Sequence, residues 1–230
     1  MKNRFSWRSG YAVLPGSWIS QMRRRKAILY TAYCVLFISA LARAQVEISG
    51  SQSGTLGPGT YSVVGDIQVL TGDSLEILPG TSFINDPGVL WEISGYFSAI
   101  AAEGDSICFT AQNQATGWEG LIFLNSAPVT TLDYCIIEFT RKPFSWIYIA
   151  GIMVYGGDGI TLTNSRVSNC SSVNYGAGVY AKDAEVHIEN CRIVDNYSQS
   201  HPEGTGILLD NCDGAQILRN VIAYNDGNGQ

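Results

Sequence analysis

Residues 162–170 read LTNSRVSNC and residues 188–196 read IENCRIVDN, so their apolar, small and polar positions coincide without a gap. Residues 132–140, LDYCIIEFT, align with both, and a fourth copy follows more loosely. The copies begin 30, 26 and 30 residues apart, at Leu132, Leu162, Ile188 and Leu218. A repeat with a period of roughly 20 to 50 residues is typical of stacked repeat architectures.

The apolar positions of each copy alternate as they do along a β-strand. Three residues after the first position, a mostly apolar column contains Cys135, Ser165, Cys191 and Val221. Two residues later, a second column contains Ile137, Val167, Ile193 and Ala223. Because side chains alternate between the two faces of a strand, both columns are predicted to point to the same inner side.

A second ladder lies between these copies, with glycines 27 and 28 residues apart. It contains Gly151, Gly178 and Gly206, each followed by apolar residues. Two columns with one period indicate that each repeat contributes strands to at least two sheets. With almost no helix signals after residue 45, the sequence predicts an all-β right-handed parallel β-helix, a solenoid whose successive turns, or rungs, pair about 4.8 Å apart. The glycines are predicted at the entry to the second sheet, in a bend without room for a Cβ.

A polar column is expected at a corner of this coil. It contains Asn164, Asn190 and Asn220, each two residues after the first position of its copy. Asparagine tolerates the left-handed conformation of a tight corner, and stacked amides can hydrogen-bond from rung to rung. We interpret the column as a structural asparagine ladder; a row that binds carbohydrate is the alternative.

The first 44 residues differ from the rest, with eight of the 14 Lys and Arg and none of the 20 Asp and Glu. Met22 precedes the basic cluster 23–26, the apolar run 27–42 and the small-residue pattern Ala42-Arg43-Ala44. This layout predicts a signal peptide over residues 1–44, with Met22 as the true start. The run is shorter than the roughly 20 residues of a membrane-spanning helix, which favours cleavage over a retained signal anchor.

The remaining chain is expected to contain two regions. Residues 45–130 are predicted to form an N-terminal cap and irregular first rungs, and residues 131–230 the regular rungs. The clearest upstream strands are predicted at residues 60–64, 67–70, 75–78 and 107–110. The chain stops at Asn228-Gly229-Gln230 within a rung, so the β-helix is expected to be truncated at its C-terminal end, with exposed strand edges.

The charge after residue 44 restricts the partners of this chain. Six Lys and Arg stand against 20 Asp and Glu, a formal charge of −14, which argues against nucleic acid binding. Membrane attachment is expected only through the signal peptide or a missing C-terminal anchor. Five cysteines remain, an odd number, and two of them, Cys135 and Cys191, are predicted to be buried free thiols two rungs apart.

The sequence resembles secreted bacterial right-handed parallel β-helix repeat proteins, of the polymorphic outer-membrane-like and pectate-lyase-like kind. The residues that carry the likeness are 75–81 (LEILPGT), 93–99 (ISGYFSA), 107–110 (ICFT), 117–121 (GWEGL) and 132–137 (LDYCII). The resemblance covers nearly all of residues 55–225. It implies the fold and a secreted or cell-surface location, often with adhesive roles, but it implies no activity.

Candidate ligand-binding residues are few. Arg166 and Arg192 share a column and are predicted to point outward one rung apart, where two cations could bind a sulfated or carboxylated sugar. Arginines paired with nearby acids on the surface are the alternative. Trp146 and Tyr148, in the insertion 141–150, could stack on a sugar, since loops on a rigid scaffold often bind ligands.

Catalytic and metal-binding signals are weak. His187 is predicted to face solvent and His201 to lie in a loop, and neither has a partner at metal-ligand or triad spacing. The acidic turns 210–214 and 225–229 could contribute calcium ligands, but they lack the pattern of a calcium loop, so no cofactor is expected.

Two functions remain open. The first is a non-catalytic exported β-helix, a surface, adhesin-like or glycan-binding module that contacts a polysaccharide or another cell-surface component. The second is the N-terminal part of a polysaccharide lyase or glycoside hydrolase, which needs clustered carboxylates or a base on one face.

Overall fold

Short apolar and β-branched runs between glycine, asparagine and aspartate form short strands along the chain. The computed structural model describes residues 45–125, 130–141, 151–173, 176–200 and 204–228, and residues 45–230 form one compact unit. The strands up to residue 125 are β1 (Val46–Ser51), β2 (Gly54–Leu56), β3 (Gly59–Val69), β4 (Ser74–Ile77), β5 (Thr81–Asn85), β6 (Leu90–Ile93), β7 (Tyr96–Ile100), β8 (Ile107–Ala111) and β9 (Gly120–Leu124).

The later strands are shorter and follow the repeat. They are β10 (Thr130–Asp133), β11 (Cys135–Glu138), β12 (Ile152–Tyr155), β13 (Ile160–Thr163), β14 (Arg166–Ser168), β15 (Ser171–Ser172), β16 (Val179–Lys182), β17 (Val186–Glu189), β18 (Arg192–Val194), β19 (Tyr197–Ser198), β20 (Ile207–Asp210), β21 (Gln216–Leu218), β22 (Val221–Ala223) and β23 (Asp226–Gly227).

The strands stack in parallel into the faces of a coil, as the repeat predicts. Face one is a seven-stranded sheet in the order β2-β4-β7-β10-β13-β17-β21. Face two contains β5-β8-β11-β14-β18-β22 and face three contains β6-β9-β12-β16-β20; both join at β3, which is long enough to pair with β5 and β6. A small sheet, β15-β19-β23, lines the corner between faces two and three. The fold is therefore an all-β parallel β-helix.

The predicted register is correct for three copies and wrong for the fourth. Leu132 lies opposite Leu162, and Leu162 lies opposite Ile188. Ile188, however, lies opposite Ile217 rather than Leu218. The same shift places Ile222, not Ala223, opposite the fully buried Ile193.

The corner after face one explains this shift. Its residues have positive φ angles in four successive rungs, at Tyr134 (51°), Asn164 (48°), Asn190 (55°) and Arg219 (54°). The left-handed conformation predicted for Asn164 and Asn190 is thus present, but Arg219 takes the corner in the last rung. Asn220 lies one position later and points inward, where its Oδ1 accepts from the Cys191 amide (2.7 Å) and its Nδ2 donates to the Ile188 carbonyl (2.8 Å).

The asparagine side chains at this corner bind other partners than the predicted ladder. Asn164 Nδ2 donates to Asp133 Oδ1 at 2.8 Å, and Asn190 Oδ1 accepts from Arg219 Nε at 3.2 Å. These bonds stabilise the corner itself and engage both amides within the protein. The alternative, a carbohydrate-binding row, has no continuous asparagine column to support it.

Gly151, Gly178 and Gly206 form a column immediately before β12, β16 and β20, as predicted. Crowding is the constraint at these positions, as predicted, because their φ angles are not positive and an added Cβ would lie too close to neighbouring atoms. A Cβ on Gly178 would lie 2.4 Å from the Gly206 carbonyl oxygen and 3.0 Å from Ile193 Cγ2. Glycine therefore lets the start of face three pack closely against the neighbouring rung and the end of face two.

The interior of the coil changes from aromatic to aliphatic along the chain. In the early rungs, the fully buried rings of Phe83 and Phe109 stack at 5.0 Å, and the Trp91 ring packs edge-on against both. In the later rungs, the interior contains smaller side chains such as Ile188 and Ile193. Each rung in the middle of the coil thus buries its inner apolar residues against the rungs on either side.

Candidate ligand-binding site

The predicted arginine pair lies on the outer side of face two. Arg166 of β14 lies directly opposite Arg192 of β18, and both side chains are exposed. Their column continues to Ile136 on one side and Val221 on the other. Two cations on adjacent strands of a rigid coil are therefore about 4.8 Å apart in backbone position.

The two arginines differ in their partners. Arg166 Nη2 forms an ion pair with Glu138 Oε2 at 2.8 Å, and Glu138 also accepts from Thr110 Oγ1 at 3.1 Å. Among the described residues, Arg192 has no carboxylate within ion-pair distance. The surface-pair interpretation therefore applies to Arg166, whereas Arg192 presents its guanidinium to solvent.

Cys108 lies in the same column, two strands from Arg166, with Ile136 between them. Burial, followed by the nearby Glu138 carboxylate, raises the pKa of the Cys108 thiol from 9.0 to about 11. At neutral pH the sulfur is a protonated thiol, and the thiolate is the reactive form of cysteine. Cys108 is therefore not activated as a nucleophile.

Aromatic side chains are a further kind of candidate for sugar binding. Trp146 and Tyr148 lie outside the described residues, so their role stays a prediction. Trp91, Trp118 and Tyr180 are buried, and Trp118 Nε1 donates to the Glu138 carbonyl at 2.8 Å. The three buried rings are structural and cannot stack on a ligand from solvent.

A polar group on the outer side of face one was missed by the sequence reasoning. His187 of β17 points outward, as predicted, and its Nε2 lies 3.0 Å from Glu189 Oε2. Its Nδ1 lies 3.1 Å from Gln216 Oε1 on the next strand. Arg219 forms an ion pair with the same Glu189 carboxylate. The i, i+2 spacing of His187 and Glu189 could have predicted that their side chains lie together, because strand residues two apart share a face.

A cavity of about 300 Å³ opens beside His187 and is also lined by Asp158, Glu185 and Asp213. In the described ranges, no group of three or more His, Cys, Asp or Glu residues is placed to bind a metal ion. In the acidic turn 210–214, Asp210 forms an ion pair with Lys182, and Asn211 Nδ2 donates to Asp183. These side chains therefore already have protein partners.

Membrane attachment has no helical candidate in the part of the chain that the structure describes, where no helix is long and apolar enough to cross a bilayer. The predicted signal peptide, residues 1–44, and His201 lie outside the described residues.

Comparison with known proteins gives one match. A family model described as "Right handed beta helix region" matches residues 98–230, which is more than half of the chain. No curated protein and no solved structure matches the chain significantly. The matched residues include face two from β8 onward and therefore the arginine pair.

Proposed function

Because this chain belongs to the right-handed β-helix family, we propose that it acts as an exported, non-catalytic β-helix module that binds a glycan at or near the cell surface. The family supplies the scaffold and leaves the ligand open, since one fold carries many functions. The sites on this scaffold must therefore support the choice.

The observation that carries the proposal is the arginine pair on face two. Arg166 is fixed by Glu138, and Arg192 on the next strand is exposed with no acidic partner among the described residues. A guanidinium binds a carboxylate or sulfate through two parallel hydrogen bonds. The pair thus suits an acidic group on a sugar chain, such as a uronate.

The overall charge limits the affinity of this site. Residues 45–230 carry a formal charge of −14, so an acidic glycan is repelled at long range and is attracted only by the local guanidinium groups. We expect a dissociation constant on the order of 1 mM for a short acidic oligomer. Such a site acts through many copies along a polymer rather than through one tight contact.

The test is a titration of the purified chain with oligogalacturonate and alginate oligomers, followed by NMR. Arg192→Ala should weaken binding roughly tenfold, because a hydrogen bond to a charged group contributes about 1.5 to 3 kcal/mol. Arg219→Ala is the matched control, since it removes an exposed arginine at the corner after face one. Absence of binding, or an equal loss in both variants, would contradict the proposal.

The proposed export is supported by residues 1–44. Their basic cluster, apolar run and small-residue pattern are typical of a cleaved signal. N-terminal sequencing of the mature protein should give Gln45 as the first residue. A product that retains residues 27–42 would instead indicate a signal anchor.

A second candidate, a polysaccharide-cleaving enzyme, is favoured by the contact between His187 and Glu189. An imidazole held by a carboxylate beside a cavity can act as a general base. The test is to incubate the protein with pectin, alginate and neutral glycans, with and without calcium, and to follow unsaturated products and reducing ends. Turnover that disappears in His187→Ala would replace the non-catalytic proposal by this one.

A further inference from the structure

A groove follows the corner between faces two and three and is separate from the arginine pair. Its cavity measures about 580 Å³. Residues of five successive rungs line it, namely Gly88, Thr116, Arg141, Ser171 and Gln199. Four steps of about 4.8 Å give the groove a length of roughly 19 Å along the axis of the coil. We call it the corner groove.

The backbone of the corner groove is already hydrogen-bonded between rungs. The Ser171 amide donates to the Thr140 carbonyl (2.8 Å), and the Gln199 amide donates to the Ser172 carbonyl (2.9 Å). A ligand along the groove would also run across the strands. An extended peptide therefore cannot add as a further strand, which is the usual way a peptide binds a sheet. The ligand must be recognised by side chains.

The side chains of the corner groove suit an uncharged polyol. Thr116, Ser171 and Gln199 offer hydroxyl and amide groups, beside apolar surface from Ala115 and Val173. Among the described residues of the lining, the charged ones are Arg141 and Glu119, whose formal charges cancel. The Arg141 side chain is oriented by its Nε, which donates to the Gln114 carbonyl at 2.9 Å. Hydrogen-bonding groups over apolar surface, without net charge, match the two kinds of surface on a sugar ring.

We propose that the corner groove binds a segment of an uncharged glycan chain that lies parallel to the axis of the coil. This inference rests on the proposed function for the class of ligand, but it assigns a second site with a different charge preference. The length of the groove implies that several sugar units contribute. A hexasaccharide should therefore bind more tightly than the matching disaccharide.

The test uses calorimetric titration with cello-, manno- and chito-oligosaccharides of two and six units. The double variant Thr116→Ala, Gln199→Ala should weaken hexasaccharide binding roughly tenfold, because two hydrogen bonds are lost. Gln112→Ala, an exposed glutamine that does not line the groove, is the matched control and should bind normally. Arg192→Ala should also bind the neutral oligomers normally.

The outcomes separate this inference from the proposed function. Unchanged hexasaccharide binding in the double variant, or binding that does not increase from two to six units, would overturn the corner groove alone. If only acidic oligomers bind and Arg192→Ala removes their binding, the corner-groove proposal is also overturned while the proposed function stands. If neither acidic nor neutral oligomers bind, the proposed function fails together with this inference.

Discussion

Neighbouring residues of β18 have opposite roles, because their side chains alternate between the interior and the surface. Ile193 is fully buried, and Val167 and Ile222 lie opposite it on the adjacent strands. Ile193→Ala should lower the free energy of unfolding by about 2 to 5 kcal/mol, and Ile193→Asp should prevent folding, because it buries an unpaired charge. Arg192→Ala should change the free energy of unfolding by less than about 0.5 kcal/mol. Urea denaturation followed by circular dichroism measures all three, and equal effects at both positions would mean that the faces are misassigned.

The buried thiols should make the free energy of unfolding depend on pH in the alkaline range. Cys135 and Cys191 are free and buried in one column, with Ser165 between them, as predicted. Burial is the largest cause that raises both pKa values, and the pKa of Cys191 rises from 9.0 to about 11. Between these pH values the unfolded chain releases protons that the folded chain retains. The free energy of unfolding should therefore fall as the pH rises above 9, by about 1.4 kcal/mol per pH unit for each such thiol.

Comparison with Cys191→Ala isolates this contribution from other groups that titrate at high pH. The variant should show a shallower decline of the unfolding free energy between pH 9 and 11, measured by urea denaturation at each pH. An identical pH dependence in both proteins would show that the Cys191 thiol ionises in the folded state as readily as in the unfolded chain.

At the scale of structural elements, the corner between faces two and three depends on an asparagine ladder of the buried Asn196 and the half-buried Asn225. Asn196 Oδ1 accepts from the Cys170 amide (3.0 Å), and its Nδ2 donates to the Val167 carbonyl (3.2 Å) and to Asn225 Oδ1 (2.9 Å). Asn196→Ala should lower the free energy of unfolding by about 2 to 4 kcal/mol, because it leaves buried backbone groups unsatisfied. Thermal unfolding followed by circular dichroism measures the loss.

Asn190→Gly is the matched control for Asn196→Ala. Asn190 is exposed and has a φ of 55°, a conformation that glycine adopts without strain. The Asn190→Gly substitution should change the free energy of unfolding by less than about 0.5 kcal/mol. A larger effect at Asn190 than at Asn196 would show that the corner after face one, rather than the ladder of Asn196 and Asn225, limits stability.

The sequence predicted the elements better than their corners. Periodicity identified the upstream strands at 60–64, 67–70, 75–78 and 107–110, which fall on β3, β4 and β8. It also placed Leu132, Leu162 and Ile188 correctly in one column. All three are buried, and burial requires the apolar side chains that make the pattern visible. The alignment of the last copy was wrong because Arg219, not Asn220, occupies the left-handed corner there. Aligning Asn220 with Asn190 therefore shifted the predicted register by one residue.

The candidate sites were harder to predict, because they depend on contacts between rungs. The pairing of Arg166 with Arg192 followed from the period alone. The ion pair of Arg166 with Glu138 and the contact of His187 with Gln216 join residues 28 and 29 positions apart on adjacent strands. The ladder of Asn196 and Asn225 was also missed, since asparagine in a loop is usually attributed to turn formation.

The repeat architecture distributes stability along the coil that the structure describes between residues 45 and 228. Each rung contacts mainly its neighbours, so stability is approximately a sum over rungs and the interfaces between them. Inner side chains in the middle of the coil, such as Ile188 and Ile193, are fully buried, whereas Ile217 and Ile222 in the last described rung are 36% and 47% exposed. The interface energy that holds a rung in place is therefore smaller at this end.

Hydrogen exchange should reveal this gradient in the 230-residue chain. Amides of β21 and β22 should exchange at least about tenfold faster than those of β13 and β14, because a difference of about 1.4 kcal/mol in local opening corresponds to a factor of ten. The amides of β17 and β18 should lie between these limits. Substituting Ile222 by alanine should accelerate exchange in β22 and β18 but leave β8 unchanged, since in a stack of rungs a lost contact affects its neighbours first. Uniform exchange rates in all three regions would mean that the coil opens as a single cooperative unit.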